Sequence, residues 1–300
     1  MDTKTDLERP LPGTSWINFH DPASPDLDNV AAERGYHPLD IEDCRHRNQM
    51  AKASPHDGYT FIVIKEIRFN EQELSLDFDD FDIFVSPTAI TTIQETPDGT
   101  TVHRVAMRLR NESGPVPVWR IAHALLDTIV DDYLPVLDRV GEIIDQVETA
   151  VLEEPSPAVL ERILSLKRVL IEFRRNAAAM REVLNHLVRD TQPGEDRYLY
   201  LRDVYDHLVR ALDFCETYRD LVSGALDIYL SAIANRTNEI VKVLTIWGTI
   251  ALPMLVVTGF YGMNVALPLQ QSAHAVTLLC GLLIVCTIGI VVFFRRKGWM

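Results

Sequence analysis

Two apolar runs near the C-terminus constrain this chain more than any other feature. Residues 243–263 and 275–294 each hold roughly 20 residues without a charge, enough for a helix to cross a hydrocarbon core of about 30 Å. Two such runs in succession, the second closed by Arg295, Arg296 and Lys297, read as membrane spans rather than as a buried soluble hairpin. Lys242 precedes the first run, and the loop at 265–274 carries no Lys or Arg. By the bias of basic residues toward the inner side, both termini are expected to face the cytoplasm.

The hydrophobic fraction of 47% is therefore an average of a polar body and an apolar tail. All 43 Asp and Glu lie ahead of the first run, so the soluble part is acidic and attracts cations. Nucleic acid is disfavoured as a partner, because phosphates call for a basic patch. Residues 1–12 carry Asp2, Asp6 and Glu8 and lack an apolar h-region, so no cleavable signal peptide is expected. Cys44, Cys215, Cys280 and Cys286 show no metal-like pairing, and reduced, structural cysteines are expected. The nine His residues are scattered without a metal-ligand spacing. No nucleophile, base and orienting set is visible and no Gly-rich phosphate loop is present, which argues against an enzyme.

The fold class expected is an α+β membrane protein. Residues 1–13 form a tail, and 14–117 form a cytoplasmic α/β domain. Its strand-like runs at 15–19, 59–67, 80–85 and 89–93 are rich in β-branched and aromatic residues between Pro, Gly and Asp. Residues 118–195 read as a helical hairpin, one helix over 118–151 and the next from Ser156 to about Asp190, with Pro155, Pro157 and Pro193-Gly194 as breaks. From residue 196 an apolar stripe through Leu201, Tyr205, Leu208, Leu212, Cys215, Val222, Leu226, Tyr229 and Ile233 keeps helical spacing, and no Pro intervenes before Pro253. One helix is thus predicted as a stalk over 196–242 that continues into the first span at 243–264, with two helices joined near Asn235 as the alternative. An external loop at 265–274, a second span at 275–294 and a basic tail at 295–300 complete the chain.

The run Thr237-Asn238-Glu239-Ile240-Val241-Lys242, then Pro253, then Gly259-Phe260-Tyr261-Gly262-Met263-Asn264, resembles the CorA family of divalent-cation channels. The tail Arg295-Arg296-Lys297-Gly298-Trp299-Met300 and the upstream runs Tyr200-Leu201-Arg202-Asp203-Val204-Tyr205-Asp206-His207 and Tyr218-Arg219-Asp220-Leu221 are also similar to that family. The likeness reaches from about residue 14 to the end. It implies a funnel-shaped homopentamer in the bacterial or archaeal inner membrane, five first spans lining one pore, with divalent cations and the lipid bilayer as the other partners.

The resemblance also implies roles. Tyr261, Gly262, Met263 and Asn264 form the selectivity filter, whose neutral oxygens suit Mg2+, an ion that keeps several of its waters when bound. Asn238, Val241, Leu244, Thr245, Leu252 and Leu255 line the pore, their apolar members forming a dewetting gate. In the cytoplasm, Asp203 and Asp206 on the stalk and Asp77, Asp79 and Asp80 beside a strand are regulatory metal ligands, with Asp82, Asp131 and Asp132 as further choices. Magnesium is expected both as cargo and as regulator, with cobalt or nickel as surrogates. Two departures bear on the ion. The segment Ala266-Leu267-Pro268-Leu269-Gln270-Gln271 has no acid where the family commonly has one, and Leu255 stands where a polar residue is often found. A ZntB-like zinc transporter, proton-coupled or not, is therefore the alternative, and a membrane-anchored sensor or scaffold the second.

Overall fold

The computed structural model describes residues 7–11, 13–46, 49–94, 100–111, 114–263 and 274–299. The chain divides into two units, Met1–Asp227 and Ile228–Met300.

In the first unit, β1 (Leu7–Glu8), β2 (Trp16–Phe19), β3 (Lys52–His56), β4 (Tyr59–Asn70), β5 (Ser75–Val85) and β6 (Ile90–Gln94) form one sheet in the order β1-β2-β6-β5-β4-β3. β2 and β6 run parallel, and the other neighbours are antiparallel. The segment Tyr59-Thr60-Phe61-Ile62-Val63-Ile64 is apolar almost without alternation because the sheet is covered on both faces. On one face Phe61, Val63 and Phe84 join Phe19, Leu27 and Ile41 in a buried cluster under α1 (Pro25–Arg34) and α2 (Pro38–Arg45). The pleat turns Ile62, Ile64 and Ile83 the other way. All three are buried, and α4 (Val118–Asp131) and α6 (Pro157–Arg189) pack against β4 and β5.

The short helices are set by their ends. Pro25 and Pro38 start α1 and α2 with φ already helical, and Gly35 ends α1 at φ 69°, where a side chain would be strained. α3 (Thr100–Arg110) packs on α4. The helix expected over 118–151 is two helices, α4 and α5 (Tyr133–Glu153), meeting at Asp132. The physical reason is Pro135, which has no N–H for the Asp131 carbonyl and whose ring crowds it. α5 and α6 (Pro157–Arg189) pack on each other, joined by a short connection at Pro155.

α7 is one continuous helix of 66 residues, Asp196–Tyr261, about 100 Å of helix at 1.5 Å per residue. No break occurs near Asn235, and Pro253 sits inside the helix. Within the first unit, its buried stripe includes Leu201, Val204, Leu208, Ala211, Cys215, Val222 and Ala225, in steps of three, four or seven residues that keep one helix face.

In the second unit, the remainder of α7 and α8 (Ala275–Arg296) are long and apolar enough to cross a membrane. Val241, Leu244, Leu252 and Leu255 on α7 are 54, 71, 62 and 67% exposed, so their stripe is left uncovered by the chain itself. α8 closes on Gly298 at φ 70°, with the Trp299 N–H donating to the Phe294 carbonyl at 2.9 Å and the Trp299 ring stacked on Phe294.

Candidate cation sites

α4 and α7 each carry acids and imidazoles one helical turn apart: His123 and Asp127, with Asp131 one turn further, on α4, and Asp203 and His207 on α7. Four-residue spacing puts each pair on one helix face. Packing then brings Asp127, Asp203 and His207 together, one donor atom from each lying within 4.8 Å of the other two. Donors about 2.0–2.2 Å from an ion stand up to roughly 4.4 Å apart, so small rotations would let all three meet one cation.

The surroundings fix this set. His207 Nδ1–H donates to Asp131 Oδ1 at 3.1 Å, and His207 Nε2 lies 3.8 Å from Asp203 Oδ1. A carboxylate behind the imidazole holds the tautomer that leaves Nε2 free as a ligand. Asp127 is buried and is held by Arg108 of α3 at 2.7 Å. Burial, followed by the charge of Asp127, keeps Asp131 above the usual carboxylate range, while His207 pulls it back. His123 is buried against the edge of Tyr200 and accepts at Nδ1 from Arg120, whose guanidinium also lies 4.7 Å from the centre of the Tyr200 ring. Burial holds its pKa below the ordinary histidine value against the pull of Asp127.

The other regulatory candidates lie elsewhere. Asp206 is exposed, with the Arg202 guanidinium 3.9 Å away, and is not part of the three-residue set. On β5, Asp77 is exposed opposite Arg68, and Asp79 pairs with Arg68 at 2.7 Å. Asp80 is buried in an ion pair with Lys65 and accepts from the Gln49 N–H at 2.9 Å. Asp82 is buried beside it; desolvation, then the charge of Asp80, pushes its pKa up to about 7. Asp132 pairs with Arg104 at 2.7 Å.

At the far end of α7 the candidate filter is described through Met263. The Gly262 N–H donates to the Thr258 carbonyl at 2.9 Å, and the Met263 N–H to the Phe260 carbonyl at 3.3 Å. A Cβ on Gly262 would stand 2.9 Å from the Thr258 carbonyl oxygen, so glycine is the residue that lets this turn close. Asn264 and residues 265–273 of the expected external loop lie outside the described residues. Asn238, Val241, Leu244, Thr245, Leu252 and Leu255 are all exposed on α7, and the Thr245 hydroxyl donates to the Val241 carbonyl at 2.8 Å.

Sequence reasoning missed Asp127 and His207 as partners of Asp203. The signal available was the pair of four-residue spacings, His123 to Asp127 and Asp203 to His207, which carries weight only once the two helices are known to face each other.

The family model described as "CorA-like Mg2+ transporter protein" matches residues 12–296. The cobalt/magnesium transport protein CorA of Thermotoga maritima is 34% identical over 99% of this chain and 88% of its own length. The putative metal ion transporter YfjQ of Bacillus subtilis is 28% identical over 98% of this chain and 92% of its own. Among solved structures, the complete CorA magnesium transporter of Methanocaldococcus jannaschii is similar with a TM-score of 0.81 and 25% identity, covering 95% of this chain and 91% of that one.

Proposed function

The chain belongs to the CorA-like Mg2+ transporter family, and we propose that it transports divalent cations, magnesium first, through a pore formed by five copies in a cell membrane. The observation that carries this reading is α7. A single 66-residue helix holds Asp203 and His207 near its start and ends on Tyr261, ahead of Gly262-Met263-Asn264.

In this reading the uncovered stripe of Val241, Leu244, Leu252 and Leu255 lines a narrow apolar conduit, with Asn238 and Thr245 as its polar members. Such a constriction blocks ions by dewetting and conducts once widened. Asn264 oxygens and Gly262 carbonyls, repeated around an axis, offer neutral acceptors to a cation that keeps its waters. Carboxylates there would hold the ion too tightly to let it leave. An inside-negative potential of about 100 mV contributes about 4.6 kcal/mol to a doubly charged ion, at about 2.3 per charge, so inward flux needs no nucleotide.

Regulation is assigned to the α4/α7 cluster in the cytoplasm, where Asp203 meets Asp127 and His207 with Asp131 behind. Clustered carboxylates repel unless a cation bridges them, so occupancy responds to internal divalent ion. Asp79 and Asp80 are weaker candidates because Arg68 and Lys65 already pair with them.

The test is cation flux into proteoliposomes containing the full chain, with Mg2+, Co2+ and Zn2+ compared. Potential-driven Mg2+ uptake that is lost in Asn264→Ala is the expected result. Wild-type protein that passes none of the three ions overturns transport, and zinc uptake driven by a proton gradient without Mg2+ flux overturns the choice of cargo.

A further inference from the structure

The α4/α7 cluster contains one group that its ion-binding set does not use. His123 is 3% exposed, and its Nε2 has no hydrogen-bond partner among the described residues. Its other nitrogen is committed, because Arg120 lies 3.1 Å from Nδ1 and a guanidinium can only donate. The neutral imidazole must then carry its hydrogen on Nε2, which makes that atom a buried donor lacking an acceptor. Leaving a buried donor in this state is unfavourable, so an acceptor within reach would be taken.

Asp127 is that acceptor by position. It stands one helical turn after His123 on the same face of α4, where side chains are about 5–6 Å apart at Cβ, and it is buried at 7% exposure. Its carboxylate pairs with Arg108 at 2.7 Å, which leaves lone pairs for a second donor. The field of Asp127 is also the strongest charge acting on the His123 ring.

Resting on the reading of Asp127, Asp203 and His207 as a cation site, we propose that His123 is a positioning residue of that site. Its Nε2–H turns onto the Asp127 carboxylate as the ion binds. Asp127 is then held between Arg108 and His123, and its remaining oxygen faces the ion with Asp203 and His207. A neutral donor suits this place, since it orients the carboxylate without adding a second positive charge to compete with the ion. Groups that orient metal-ligating carboxylates typically change affinity by about 10–100-fold when removed.

The experiment is Mn2+ binding to the purified full-length protein, read by electron paramagnetic resonance with Mg2+ as competitor. His123→Phe keeps the ring against Tyr200 and removes the donor, whereas His123→Gln restores an N–H. The expected result is about tenfold or greater weakening in His123→Phe, recovery to within about threefold in His123→Gln, and no further loss when His123→Phe is added to Asp127→Asn. Wild-type affinity in His123→Phe overturns the proposal. Equal weakening in the Phe and Gln variants also overturns it, because that is the mark of packing alone. If Asp127→Asn and Asp203→Asn both bind Mn2+ as wild type does, the cation site itself fails, and this inference with it.

Discussion

Lys65 on β4 and Asp80 on β5 face each other across the antiparallel ladder, and both are buried, at 3 and 6% exposure, as an ion pair inside the α/β domain. Asp82 sits two residues along the same strand at 3% exposure, a second carboxylate buried beside the pair. Tyr133 of α5 donates to the Lys65 carbonyl at 3.0 Å, tying the same point of the sheet to the helical layer.

Removing the ammonium should therefore be costly. Lys65→Met takes the ammonium from the buried pair with Asp80, and breaking a buried pair from one side typically costs about 3–5 kcal/mol. The double variant Lys65→Met with Asp80→Leu is expected to recover most of that loss, because both halves of the buried pair are then gone. Denaturant unfolding of the three proteins checks this; a single variant as stable as wild type would contradict the buried pair.

Asp82 predicts a pH dependence of definite sign. Its folded-state pKa of about 7 lies above the ordinary value near 3.9, so between roughly pH 4 and 7 the folded protein binds one more proton than the unfolded chain. Stability contributed by Asp82 is thus greatest below that window and falls as pH rises through it, by at most about 1.4 kcal/mol per pH unit, then levels off. Asp82→Asn, which imitates the protonated group, should flatten this slope. Thermal unfolding of wild type and variant from pH 5 to 8 is the measurement.

Gly262 is constrained by the close approach of the Thr258 carbonyl, 2.9 Å from where a Cβ would stand. Gly262→Ala must open the last turn of α7, displacing the residues that follow. Flux in proteoliposomes is expected to fall at least about tenfold, a loss of about 1.4 kcal/mol of barrier lowering or more, while assembly and the melting temperature of the α/β domain stay near wild type. Unchanged flux would remove the filter from this position.

Asp203→Asn and His207→Ala each remove a donor from the three-residue set while leaving the buried stripe of α7 intact. Both are expected to keep Mg2+ influx and to shift its inhibition by internal Mg2+ to concentrations about tenfold higher or more. Vesicles loaded with graded Mg2+ measure this directly. Inhibition at wild-type concentrations in both variants would move regulation away from the α4/α7 cluster.

Much of this architecture is written in local pattern. The apolar runs that became the end of α7 and α8, the strand cores around Phe61 and Ile83, and the uninterrupted stripe that made α7 one helix all follow from residue type and periodicity, which act over a few neighbouring residues. Family membership was legible for the same reason, because the motif from Thr237 to Met263 is contiguous. The break between α4 and α5 was equally local, encoded by Pro135, but a single proline inside a strongly apolar stretch was outweighed by its periodicity.

What the sequence could not decide is which distant side chains meet. His207 reaches Asp131 across 76 residues, and Lys65 finds Asp80 only because β4 and β5 pair in one register. Choosing Asp203 from sequence was a matter of matching flanks. Its partners Asp127 and His207, like the pairing of Asp79 and Asp80 with cations, depended on how α4 packs along α7 and β5 along β4. Periodicity fixes which face of an element is buried, but the element across from it is selected by the packing of the whole domain, and there the chemistry of a cation site is assembled.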